Sequence, residues 1–207
     1  MLKRPTLIAA CAAVLLLVVS RAGHADSDEA RARAFIESVA DKAIAALTIK
    51  DIPHNERARR FRVLLNDHFA VKTIGRWVLG PHWRRATKEE RQEYLSLFED
   101  LLVDTYAERF QRYSGETLSV TNSATRSQND SIVYTLITRP GGGPIHVDWR
   151  VRASGEKQRI VDVIVEGVSM GMTQRSEFSS VIGSRGGGVK GLLDELRKRR
   201  KKAREDA

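Results

Sequence analysis

Asp130 to Val168 reads DSIVYTLITRPGGGPIHVDWRVRASGEKQRIVDVIVEGV, and its hydrophobic period is two. Ile132, Tyr134 and Leu136 alternate with Val133, Thr135 and Ile137, and Ile145, Val147, Trp149 and Val151 alternate with His146, Asp148, Arg150 and Arg152. Successive side chains of a strand point to opposite faces, so the second of these runs has one wet face and one dry face. Pro140-Gly141-Gly142-Gly143-Pro144 joins the two runs as a hairpin connection, and Gly155 turns the chain again. A third run, Lys157 to Val168, places Val161, Val163 and Val165 inward, and a shorter one, Thr117 to Thr121, comes first. Four antiparallel strands are expected.

Upstream of Gly115 the period is helical. Phe35, Ile36, Val39, Ala40, Ala43, Ile44 and Leu47 predict a helix over 28–47, which Pro53 ends. Phe61, Leu64, Leu65 and His68 form one stripe of a second helix over about 55–69. Val71 to Leu79 predicts a third, closed by Gly80 and Pro81. Thr87-Lys88-Glu89-Glu90 is a capping box that opens a long helix carrying Tyr94, Leu95, Phe98, Leu101, Leu102, Thr105, Tyr106 and Phe110. After the strands come a helix over about 172–182, the flexible Gly186-Gly187-Gly188, and a last helix running into a basic tail. Helices, then strands, then helices predict an α+β domain in which helices cover a bent antiparallel sheet.

The chain has 207 residues and a formal charge of +9, with 35 Lys and Arg against 26 Asp and Glu. The excess sits at the ends. Residues 1–25 hold Lys3, Arg4 and Arg21 and no acid, and residues 197–204 hold seven bases. The body between them is close to neutral, which argues against a nucleic-acid-binding face. Lys3 and Arg4, the apolar run Leu7 to Val19, and the short segment ending at Ala25 form a secretory signal, with cleavage expected after Ala25. The apolar run is too short to cross a hydrocarbon core, which takes roughly 20 residues. The expected organisation is a signal peptide at 1–25, one domain at 26–196 and a basic tail at 197–207. The tail reads as a solvated, frayed helix end, with weak attraction to anionic lipid as the sharper reading. The only cysteine, Cys11, leaves with the signal, so the exported protein has neither thiol nor disulfide, which suits a bacterial periplasm.

Catalytic patterns are sparse. His54, His68, His82 and His146 have no zinc-like spacing and no partner carboxylate cluster, so no metal and no cofactor are expected. Gly141 to Gly143 lies between strands and does not open a helix, so it cannot aim helix amides at a phosphate. A buried Asp148 or Asp162 in a helix-covered sheet could act as a general base, which keeps an enzyme reading open.

Three segments carry a resemblance: Val78-Leu79-Gly80-Pro81-His82-Trp83-Arg84-Arg85-Ala86-Thr87, the helix from Tyr94 to Tyr106, and Glu166-Gly167-Val168-Ser169-Met170. With QRSEF, the glycines and a closing helix in the same order, the chain from Phe35 to Leu196 resembles the MlaC family, the periplasmic phospholipid carriers also called toluene-tolerance auxiliary proteins. The resemblance implies an NTF2-like cone with an apolar pocket between sheet and helices, occupied by acyl chains. It also implies a monomeric, non-enzymatic shuttle, with phospholipid as cargo. Its partners would be an outer-membrane lipoprotein complex and an inner-membrane ABC transporter with its MCE-domain ring. A related branch, the hopanoid-associated HpnM proteins, is the alternative.

The physics of such a carrier can be stated independently. Roughly thirty methylenes at about 0.8 kcal/mol each make transfer of a free phospholipid through water a matter of ~25 kcal/mol. A pocket lining that matches hydrocarbon, with almost no polar groups, removes that barrier. The expected lining is Phe69, Val78, Trp83, Tyr94, Phe98, Tyr106, Val133, Val147, Trp149, Val163, Val165, Val168, Met170 and Phe178. An adaptor protein with a filled core is the third reading, since sequence alone does not separate a hollow interior from a solid one.

Overall fold

A computed structural model describes residues 22–184 and 188–205, with side chains from residue 28 onward. The expected signal segment up to Arg21, and Gly186 and Gly187, lie outside the described residues. The elements run α1 (Ala22–Leu47), α2 (His54–His68), α3 (Val71–Leu79), α4 (His82–Arg85), α5 (Lys88–Gln111), β1 (Thr117–Ser127), β2 (Asp130–Thr138), β3 (Ile145–Ser154), β4 (Lys157–Val165), β5 (Val168–Ser169), α6 (Met170–Ser184) and α7 (Gly188–Glu205). The strands form one open antiparallel meander in the order β1-β2-β3-β4-β5. None of the described helices is long and apolar enough to cross a membrane.

The helix signals act as expected. Thr87 accepts from the Glu90 amide at 3.1 Å while the Glu90 carboxylate accepts from the Thr87 amide at 2.9 Å, a complete capping box at the start of α5. Gly80 ends α3 at φ 57°, where a side chain would be strained. Its amide donates to the Arg76 and Trp77 carbonyls, at 3.3 and 3.1 Å. The single turn α4, absent from the periodicity, starts directly after Pro81.

The sheet departs from expectation in three places, each for a local reason. It has five strands, because the run expected to reach Val168 breaks after Val165. Glu166 and Gly167 both take positive φ (48° and 78°) and turn the chain back as β5. Hydrogen bonds hold Glu166 there: its carboxylate accepts from the His146 amide at 2.6 Å, and its own amide donates to the His146 carbonyl at 2.9 Å. Second, β1 extends to Ser127, past the expected Thr121. Register shifts between Val120 and Asn122 and between Thr125 and Ser127 reset the alternation, which masks the strand in the sequence. Third, Arg150 pairs with Asp162 but Val151 pairs with Ile160, so Val161 is an extra residue. The bulge brings Ile160, fully buried, to the inner face in place of the expected Val161.

Two apolar clusters make the core. One lies within the helices α2, α3, α5, α6 and α7. The other lies between α1 and the inner sheet face, where Ala32 and Ile36 meet Val133, Val151 and Ile160. Phe69 packs against both. The Ala70 amide ties this junction to the sheet by donating to the Ile160 carbonyl at 2.9 Å.

The tail is not a frayed end. Helix α7 continues through it to Glu205, and three of its arginines reach other helices. Arg197 pairs with Glu93 at 2.7 Å, Arg199 with Glu177 at 2.7 Å and Arg200 with Asp100 at 3.5 Å.

Candidate functional site

Strand register defines an apolar wall on the inner face of the sheet. Leu118 and Val120 come from β1, Val133, Thr135 and Ile137 from β2, Ile145, Val147, Trp149 and Val151 from β3, and Ile160, Val163 and Val165 from β4. Helix α1 packs against the β1–β2 side of this wall and joins its apolar cluster with Phe35, Ile36 and Val39, residues at helical spacing on one stripe. The polar groups on the apolar part are satisfied locally. The Trp149 indole N–H donates to the Thr135 hydroxyl, which donates in turn to the Val147 carbonyl.

Helix α1 is fastened at both ends by polar contacts. The Glu29 carboxylate accepts from the Thr125 amide at 2.7 Å near its start. At its C-terminal end the Arg57 guanidinium donates to the Leu47 carbonyl at 3.1 Å and Arg60 donates to the Ala46 carbonyl at 3.2 Å. Arg57 is buried, a charge spent on the orphan carbonyls of a helix end. Where Asp28 of α1 approaches the β1–β2 and β3–β4 turns, a cavity of about 10 Å³ is lined by Asp28, Asn129, Ser131, Val151, Ala153 and Gln158, room for about one water molecule.

The fourteen expected lining residues divide between these environments. Val133, Val147, Trp149, Val163 and Val165 lie on the wall. Phe69 stands at the junction of the two clusters. Val78, Tyr94, Phe98 and Phe178 belong to the helical cluster. There Tyr94 stacks on Phe98 at 5.8 Å and Phe178 meets both rings edge-on, at 6.1 and 6.3 Å. The Tyr94 hydroxyl donates to the Gly75 carbonyl at 3.0 Å, and burial pushes the phenol far above its ordinary range. Trp83 flanks that cluster, with the Arg91 guanidinium 5.4 Å from its ring. Tyr106 is half-buried beneath Arg109, Met170 is half-buried at the start of α6, and Val168 is exposed. Leu118, Val120, Ile160, Phe35, Ile36 and Val39 were not among the fourteen. The periodicity of all but Ile160, which the bulge turns inward, is legible, but the pairing of α1 with this face is a long-range contact that no local signal carries.

The carboxylates considered for general-base work face away from the wall. Asp162 is occupied structurally: it accepts from the Ser169 hydroxyl at 2.6 Å and from the Val163 and Gly171 amides at 2.9 and 3.2 Å, which anchors β5 and the start of α6. Asp148 shares the outer face with His146 and Arg150, and burial raises its carboxyl above the usual range. His68 packs edge-on against Phe35 at 5.9 Å, and burial, followed by the Lys42 charge, lowers its imidazole.

Comparison with known proteins gives the family and the fold. The family described as MlaC protein matches residues 37–198. The intermembrane phospholipid transport system binding protein MlaC of Haemophilus influenzae is 25% identical over 104 residues, which is 48% of this chain and 49% of that protein. The chain thus aligns with about half the length of that curated relative. The solved structure of the phospholipid-binding protein from Ralstonia solanacearum, in complex with a phospholipid, aligns with a TM-score of 0.72 at 24% identity. The alignment covers 83% of this chain and 98% of that one, so the two share a fold.

Proposed function

The chain belongs to the MlaC family, and we propose that it is a phospholipid-binding carrier whose acyl-chain site is the inner face of the sheet beneath α1. The observation that supports this site is the wall itself. It extends over four strands, and the polar groups at its centre, Thr135 and Trp149, are bonded within it. The buried Thr125 hydroxyl, which has no partner among the described residues, lies toward the Asp28 end of this face. The helical cluster has the opposite character, with three aromatic rings in mutual contact and each at most 1% exposed. Val133, Val147, Trp149, Val163 and Val165 are therefore the lipid-contacting residues, with Phe69 at the inner end.

Ala32 and Ile36 of α1 are buried in one cluster with Val133, Val151 and Ile160 of the wall, so on this reading an acyl chain takes the place of α1 there and the helix moves off the sheet on loading. The helix is suited to that role. Its apolar stripe is interchangeable with alkyl chains, and its fastenings are a few hydrogen bonds at its ends, each worth about 1 kcal/mol net. A carrier of this kind performs no bond-making step. It works in the periplasm as a monomer, exchanging phospholipid between an outer-membrane lipoprotein complex and an inner-membrane ABC transporter with its MCE-domain ring.

Native mass spectrometry of the chain purified without detergent, with extraction and identification of bound lipid, tests the reading. A stoichiometric phospholipid supports it. A folded chain that neither retains phospholipid nor takes it up from vesicles refutes it.

A further inference from the structure

From His68 to Lys88 the chain carries Lys72, Arg76, Arg84, Arg85 and Lys88 and no Asp or Glu. A second acid-free segment, Gly167 to Ser176, forms β5 and the start of α6. The fold brings the two together. The Trp77 indole lies against Gly171 so closely that a Cβ there would come within 2.8 Å of the ring. Trp77 is nonetheless 41% exposed, and Val168 and Met172, close to Gly171 in the chain, are 55% and 52% exposed. The Arg175 guanidinium sits 5.5 Å from the Trp77 ring. Among the described residues no carboxylate lies within salt-bridge reach of Lys72, Arg76 or Arg175, in contrast to the paired arginines of α7.

We propose that this α3–α6 face, with Trp77, Val168 and Met172 flanked by Lys72, Arg76 and Arg175, docks on an anionic phospholipid bilayer. An indole with a polar edge and an apolar body is at home among headgroups, where the Val168 and Met172 side chains would reach the acyl boundary. Each base near such a surface adds about 1 kcal/mol of attraction, and these bases have no internal acid to give up. Three protruding apolar side chains are too few for a stable protein–protein interface, which covers ~800 Å² per partner, but they suffice for shallow, reversible insertion combined with charge.

The test is co-sedimentation of the full chain with vesicles of phosphatidylcholine, or of phosphatidylcholine with about a third phosphatidylglycerol, with bromine-labelled lipid as a quencher of indole fluorescence. Expected is binding to the anionic vesicles only, weakened by salt. Arg76→Glu should weaken it about thirtyfold, since it changes the charge at the surface by two units, each worth about 1 kcal/mol. Trp77→Phe should keep binding but lose most of the quenching. Lys198→Glu on α7, the same charge reversal elsewhere, should leave binding unchanged, and thermal melts confirm that each variant is folded. Equal binding to neutral vesicles, an equal loss for Lys198→Glu, or no vesicle binding at all, which would leave an acidic protein as the occupant, overturns the proposal. The readout is independent of cargo, so it stands or falls separately from the carrier reading.

Discussion

The Trp149 indole N–H donates to the Thr135 hydroxyl at 3.1 Å, and that hydroxyl donates to the Val147 carbonyl at 2.6 Å. Thr135 is 1% exposed, so its hydroxyl has no water to fall back on. The pair keeps the wall dry while tying β2 to β3 by side chains as well as by the ladder.

The bond makes the two residues energetically coupled. Thr135→Val leaves the indole N–H without its acceptor, a loss of about 1–3 kcal/mol. Trp149→Phe leaves Thr135 bonded to Val147. In a double-mutant cycle read by denaturant unfolding, the double variant is expected to be about 1 kcal/mol more stable than the sum of the single losses implies. Additive losses would show that the bond does not form.

The two apolar clusters separate stability from cargo. Phe178→Ala in the helical cluster should cost about 3–5 kcal/mol, because the site is ringed by Tyr94 and Phe98 and has little room to collapse. Its folded fraction should still carry lipid. Val163→Arg on the wall should abolish lipid occupancy in a chain whose circular dichroism remains native, while Val63→Arg on the exposed face of α2 should not change it. Lipid lost from Phe178→Ala but kept by Val163→Arg would transfer the site to the helices.

Much of this was legible in the sequence. Thr87 and Glu90, Gly80, and the alternation around Trp149 specify their elements through short-range physics, and the structure follows them closely. The misses are also physical. The bulge at Val161 replaces an alternating residue with its neighbour, and the Glu166–Gly167 turn requires a positive φ at a glutamate that hydrogen bonds with the His146 backbone, a residue distant in the chain, hold in place. Large aromatic residues looked equally suited to a pocket or a core. What sorts Phe178 from Trp149 is the packing of α6 against α3 and of α1 against the sheet, contacts between distant segments.

The clasp on the C-terminal end of α1 depends on an acid. Glu56 accepts from both Arg59 and Arg60, and Arg60 also holds the Ala46 carbonyl. The hydrogen bonds from Arg59 and then Arg60 hold the Glu56 carboxyl at about 2. A carboxyl held low in the folded chain stabilises it above the unfolded value and loses that contribution as pH falls toward the folded one. Carboxyl resonances of Glu56 should therefore titrate near pH 2, and Glu56→Gln should flatten the stability profile between about pH 4 and 2. A midpoint in the ordinary glutamate range would show that the clasp is open in solution.

The basic tail is a structural strap in this account. Truncation after Leu196 removes the ion pairs of Arg197, Arg199 and Arg200 with α5 and α6. Half-exposed pairs contribute about 0.2–1 kcal/mol each, so the truncated chain should be less stable by roughly 1–3 kcal/mol, with a smaller difference in high salt. Its lipid content should be unchanged. Equal stability of the two chains in low salt would return the tail to a solvated end.

The most direct test of the acyl-chain site is a crystal structure of the chain purified with its cargo. The account predicts continuous alkyl density along the inner sheet face, within about 4 Å of Trp149 and Val163, with α1 displaced from the wall and the Tyr94–Phe98–Phe178 contacts intact. Alkyl density among those three rings, with α1 still seated on Val133 and Ile160, would contradict it.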